Sequence, residues 1–107
     1  MDYTQQKIAT LVGAAIATGA GVTVTPRSVY KTFQANGTTS AGAGAATIKV
    51  QGSLDNSTWI DLGTITLTLA TTVSGDGFVN VAPWLYVRGN VTAISGTDAT
   101  VNLYMGQ

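Results

Sequence analysis

Along most of this chain an aliphatic residue falls at every second position, and threonine fills many of the positions between. Ile65, Leu67 and Leu69 alternate with Thr64, Thr66 and Thr68, and Ile48 and Val50 alternate with Thr47, Lys49 and Gln51. Val22 and Val24 alternate with Thr23 and Thr25, and Val101, Leu103 and Met105 alternate with Thr100, Asn102 and Tyr104. A period of two belongs to a strand with one buried face and one wet face. Threonine suits the wet face, because its branched Cβ favours extended backbone without adding a large apolar surface. Turn signals separate the runs: Asn36-Gly37, Asp55-Asn56-Ser57, Ser74-Gly75-Asp76-Gly77 and Ser95-Gly96-Thr97-Asp98. The stretch Thr38–Ala45, TTSAGAGA, reads as the most flexible loop.

Short strands with a turn every 8 to 12 residues specify an all-β sandwich or barrel. The pattern predicts about eight strands, near 7–12, 20–25, 29–36, 46–53, 58–68, 77–82, 84–94 and 99–105. The expected fold is a single antiparallel β-sandwich, jelly-roll-like, over residues 1–107, with 1–20 as an extended N-terminal arm. Leu11–Ala20 could instead form a small-residue helix, but its Gly and Thr content disfavours that. The apolar stretch Ile8–Gly21 has the length of a signal-peptide core, yet Asp2 stands beside Lys7 ahead of it, and Thr10, Thr18 and three glycines dilute it. It is therefore expected to stay in the working chain, and at this length it is too short to span a bilayer.

Composition narrows the chemistry. Only 9% of the 107 residues are charged, with five Asp, three Lys and two Arg, and there is no Glu, His or Cys. That removes the imidazole base, the thiolate nucleophile and the usual zinc ligands, so no cofactor or metal is expected. A net charge of zero gives no electrostatic reason to expect nucleic acid or an anionic membrane as partner. Asp55 and Asp61 bracket Trp59 and could be read as an acid/base pair, or with Asn56 and Ser57 as oxygen ligands for calcium. The plainer reading is that Asp55 caps its own turn and Asp61 is solvated at a strand end. Serines without a nearby base have nothing to take their proton, so the chain is not expected to be an enzyme.

Among the aromatic residues, Trp59 and Phe78 are expected to plug the core. Leu85, Val87 and Val91 supply the buried face of Pro83–Ile94, which would place Trp84, Tyr86 and Arg88 together on the outer face. Aromatic residues with arginine are enriched at interface centres; equally, Arg88 could simply stack on Tyr86 or Trp84. Three Asn-x-Ser/Thr sequons, at Asn36, Asn56 and Asn90, follow from the abundance of threonine, with 18 copies. A surface with so few charges costs little to desolvate, which suits a subunit buried against copies of itself or against other proteins.

The runs Ala46–Gly63 (ATIKVQGSLDNSTWIDLG), Ala82–Ile94 (APWLYVRGNVTAI) and Ala99–Gly106 (ATVNLYMG) resemble small β-sandwich virion proteins encoded in tailed-phage structural gene clusters. The leading Ile8–Val24 and Tyr30–Thr39 (YKTFQANGTT) extend that resemblance over nearly the whole chain. The Ser53, Asp55, Ser57, Thr58, Trp59 turn with Tyr86, Val87 and Arg88 is also similar to discoidin-like carbohydrate-binding sandwiches, in which these residues are scaffold. The phage resemblance implies a non-enzymatic, oligomeric virion component. Its expected role is capsid decoration (cement), binding the major capsid protein or other virion subunits. Tail or fibre association and a carbohydrate-binding module are the alternatives. The expected contact residues are Tyr3, Gln5 and Lys7 in the N-terminal segment and the row Trp84, Tyr86 and Arg88.

Overall fold

The computed structural model describes residues 7–107. Eight strands run β1 (Ile8–Ala15), β2 (Gly19–Ala20), β3 (Tyr30–Thr38), β4 (Ala41–Ser53), β5 (Ile60–Leu69), β6 (Ser74–Val81), β7 (Tyr86–Thr97) and β8 (Thr100–Gly106). They form two four-stranded sheets, ordered β1-β8-β3-β6 and β2-β7-β4-β5, and every pairing is antiparallel. The order is that of a jelly roll. The ladders β4–β5, β3–β6, β2–β7 and β1–β8 nest one inside the next and fall alternately in the two sheets, as when one long antiparallel ribbon is rolled up.

The alternation in the sequence is the alternation in the sheets. Lys31, Phe33, Ala35 and Gly37 of β3 point inward, while Tyr30, Thr32 and Gln34 point out. In β5, Ile65, Leu67 and Leu69 are buried and the intervening threonines Thr66 and Thr68 are exposed. Phe33, Leu103 and Met105 from one sheet meet Ile48, Val50 and Val87 from the other with no exposure to solvent. Each such side chain contributes ~1.5–3 kcal/mol by leaving water, against at most about 1 kcal/mol for an exposed ion pair. Burial of these faces holds the fold.

The sheets approach closely where glycine leaves room. Val50 pairs with Gly63 on one side and Gly89 on the other, which makes a depression on the inner face. A Cβ on Gly63 would stand 2.6 Å from Phe78 Cζ, and one on Gly89 would stand 2.5 Å from Leu103 Cδ2. Phe78 also packs on Phe33 with ring centroids 5.2 Å apart, so its expected core position holds, though it is only partly buried.

Three expectations change. Thr38–Ala45 is not a loop: the chain turns at Thr39 and Ser40, and β4 begins at Ala41. Its small residues serve close packing, since a Cβ on Gly44 would stand 2.2 Å from the Ser95 carbonyl oxygen, and the buried Thr39 hydroxyl donates to the Gly42 carbonyl at 2.6 Å. Residues 8–20 do not form a free arm, because β1 pairs with β8 and β2 with β7. The strand expected at 20–25 shrinks to Gly19–Ala20 plus an isolated bridge from Val24 to Val87.

Candidate functional site

With charges so scarce, their placement separates the two outer faces. On the β2-β7-β4-β5 sheet, register brings Gln51 beside both Asp61 and Arg88, and Lys49 beside Asn90 and Thr64. Lys49 Nζ lies 3.3 Å from Asp61 Oδ2, Gln51 Nε2 donates to Asp61 Oδ1 at 2.9 Å, and Arg88 Nε donates to Gln51 Oε1 at 2.9 Å. The Arg88 guanidinium sits 4.2 Å above the Trp59 ring, a cation–π distance. Bonds from Gln51 and Lys49 hold the Asp61 carboxyl below the usual carboxylate range. The cluster therefore satisfies itself.

The turn below it is fixed by one carboxylate and one hydroxyl. Asp55 Oδ1 accepts from the Thr58 amide (2.8 Å), the Ser57 amide (2.9 Å) and the Ser53 hydroxyl (2.9 Å). The buried Ser53 Oγ in turn accepts from the Asn56 amide at 3.0 Å. These donors hold Asp55 down at about 2, with the Thr58 amide acting most strongly. Both candidate acid/base carboxyls are thus stabilised as anions, the opposite of what a general acid requires.

The other sheet's outer face is different in kind. Tyr30 pairs with Val81, Thr32 with Val79, and Gln34 with both Gly77 and Tyr104. Tyr30, Val79 and Val81 are each more than half exposed. No Asp, Lys or Arg of β1, β8, β3 or β6 points to this side. Lys31 lies in phase with Phe33 and is buried, its ammonium donating to the Val29 carbonyl at 2.9 Å and to the Ala82 carbonyl. Burial lowers its pKa. Opposite it, Asn80 Oδ1 is buried with no hydrogen-bond partner. Between β1 and the return of the chain at 17–22 lies a groove of 360 Å³, lined by small and apolar residues such as Val12, Ala15 and Val22.

The residues expected to make contacts are scattered by this geometry. Tyr3 and Gln5 lie outside the described residues. Lys7 exchanges backbone hydrogen bonds with Gln107, at 2.9 Å each way, which extends the β1–β8 ladder. Tyr86 and Arg88 share the outer face of β7, but Trp84 does not join them. β7 starts only at Tyr86, and the Trp84 ring packs where a Cβ on Gly52 would be, 2.7 Å from its Cδ2. Trp84 thus borders the core, while Leu85, expected inside, is 52% exposed. Trp59, expected inside, lies instead under Arg88 at the surface edge. The buried Lys31 was legible in principle, since in YKTFQA the same alternation that buries Phe33 and Ala35 turns it inward.

No family model matches the sequence, and no curated protein matches it. Among solved structures, the SPBc2 prophage-derived protein YomS is similar, with a TM-score of 0.58 at 12% identity over 96% of this chain and 94% of that one. The PBSX exported protein XepA is similar with a TM-score of 0.55 at 11% identity, over 94% of this chain but 36% of that one. The chain thus spans about a third of XepA. At such identities the likeness is one of fold.

Proposed function

We propose that this chain is a non-enzymatic structural subunit of a phage particle, a capsid decoration protein that binds the assembled shell through protein–protein contact. The observation that carries the reading is the outer face around Tyr30, Thr32, Gln34, Val79 and Val81, a sheet surface to which no Asp, Lys or Arg of its strands points. Such a face is cheap to strip of water and has no charge to leave unpaired against a protein lattice. Two further points support it. A protein from a prophage shares the fold over almost its whole length, and the sequence resembles small virion sandwiches. The carbohydrate-binding alternative has less behind it, because Trp84 is turned toward the core and the expected aromatic row is not assembled.

The mechanism is linkage: a protein that binds the assembled shell and not its separated subunits stabilises the shell. Particles stripped of this protein are expected to disrupt at a lower temperature than intact ones, and to recover on adding it back. Equal disruption temperatures overturn the cement role. Imaging that finds the copies only along the tail overturns the shell location in favour of the tail-associated alternative.

A further inference from the structure

A sandwich of two open sheets has four edge strands, and exposed edges invite pairing with another chain unless something blunts them. Three of the four edges here are blunted. β1 is broken by register shifts between Thr10 and Val12 and between Val12 and Ala15, with Ala14 at a φ of 47°. β2 is two residues long. β5 carries a register shift opposite Val50 and Gln51, with the Asp61 cluster beside it. β6 is neither broken nor cut short, and its one charged residue is Asp76. It pairs with β3 through eight consecutive residues, from Tyr30↔Val81 to Gly37↔Ser74, without a shift, and it contains no Pro, Lys or Arg. Val79 is 63% and Val81 55% exposed, and Gly75, Asp76 and Gly77 are exposed with them.

One bond marks the open side of this strand. The Gly77 amide donates to the carboxylate of Asp76 at 2.8 Å, and a neighbouring side chain captures an amide that the β3 ladder does not use. Alternation along an extended strand puts the amides of Gly75, Val79 and Val81 on that same side.

We infer that β6 is a self-pairing edge, at which two copies of this chain join antiparallel and continue the β1-β8-β3-β6 sheet across a two-fold axis. The sequence of the edge fits its own copy. A two-fold axis through Phe78 sets Val79 opposite Gly77 of the second copy and Val81 opposite Gly75 of the second copy, so that each exposed valine covers a position with no side chain. The same register sets Asp76 opposite Asn80, and no carboxylate faces its counterpart. The outward amides of Gly75, Val79 and Val81 become bonded, that of Gly77 stays with Asp76, and the two uncharged outer faces merge. The inference stands apart from the particle role, and either can fail without the other.

The test is the molar mass of the full chain by sedimentation equilibrium, from about 5 to about 200 µM. A dimer is expected. Val79→Pro removes an outward amide while leaving the β3 ladder intact, as an edge position tolerates. Val79→Lys changes only the side chain and reads the same surface should the proline variant not fold. Both are expected to give monomers with the circular dichroism of the parent, and Asp76→Ala, which frees the Gly77 amide, should tighten the dimer several-fold. A parent chain that stays monomeric at about 200 µM overturns the inference, as does an oligomer that both Val79 variants leave intact.

Discussion

The two outer faces of this sandwich cover one core and share one strand geometry, yet they treat polarity in opposite ways. The β2-β7-β4-β5 face gathers Lys49, Asp61, Gln51, Arg88 and Trp59 into contacts that leave each group answered by a neighbour. The β1-β8-β3-β6 face has no Asp, Lys or Arg pointing to it and presents Tyr30, Val79 and Val81 to solvent. A low overall charge need not be spread thinly. Here it is sorted, with the networked face complete as it stands and the neutral one gaining from being covered.

The comparison presumes that both faces rest on a single cooperative core, and that is the claim most exposed to a large effect. Phe33 is fully buried between the sheets, so Phe33→Ala should cost ~3–5 kcal/mol in urea unfolding. Trp fluorescence and far-UV circular dichroism should move together; two separate transitions would divide the molecule into independent sheets. A smaller effect separates the faces themselves. Arg88→Ala removes both the bond to Gln51 and the cation over Trp59, and should cost ~1–2 kcal/mol with a red shift of Trp emission. Gln34→Ala on the neutral face should stay within about 0.5 kcal/mol. Equal losses would erase the contrast.

On the networked side, acid titration reaches the Asp55 turn. The folded pKa of Asp55, about 2, lies below its ordinary 3.8, so its stabilising contribution is complete above pH 3.8 and is lost as the pH falls toward 2. Asp55→Asn should lower the melting temperature near neutrality and flatten its fall across that window, so that variant and parent converge toward pH 2. Weaker than the Arg88 contacts is the Lys49–Asp61 pair. Both side chains are more than a third exposed, so Lys49→Ala should cost only ~0.2–1 kcal/mol, less in high salt.

Period two made the architecture legible. The strands expected at 29–36, 58–68, 84–94 and 99–105 lie within a few residues of β3, β5, β7 and β8, because each has a buried face that fixes its phase. What escaped depends on relations that no local window contains. β7's alternation, run back two residues from Tyr86, puts Trp84 on the outer face, but the strand does not reach that far, and the ring is drawn to the gap above Gly52. Gly44 reads as slack in isolation and becomes a close contact only once Ser95 lies across from it. Arg88 and Trp59 are 29 positions apart and meet because strand register carries Arg88 beside Gln51 and the Asp55 turn brings Trp59 over the same face. The sequence could state that Arg88 faces out; it could not state which ring it would find there.

The paired bonds between Lys7 and Gln107 have a mechanical meaning. Tension applied between these two positions would load the β1–β8 ladder from its end, parting its hydrogen bonds in succession like the teeth of a zip. A tether attached there yields at low force, whereas a load borne on the broad sheet faces strains many bonds at once.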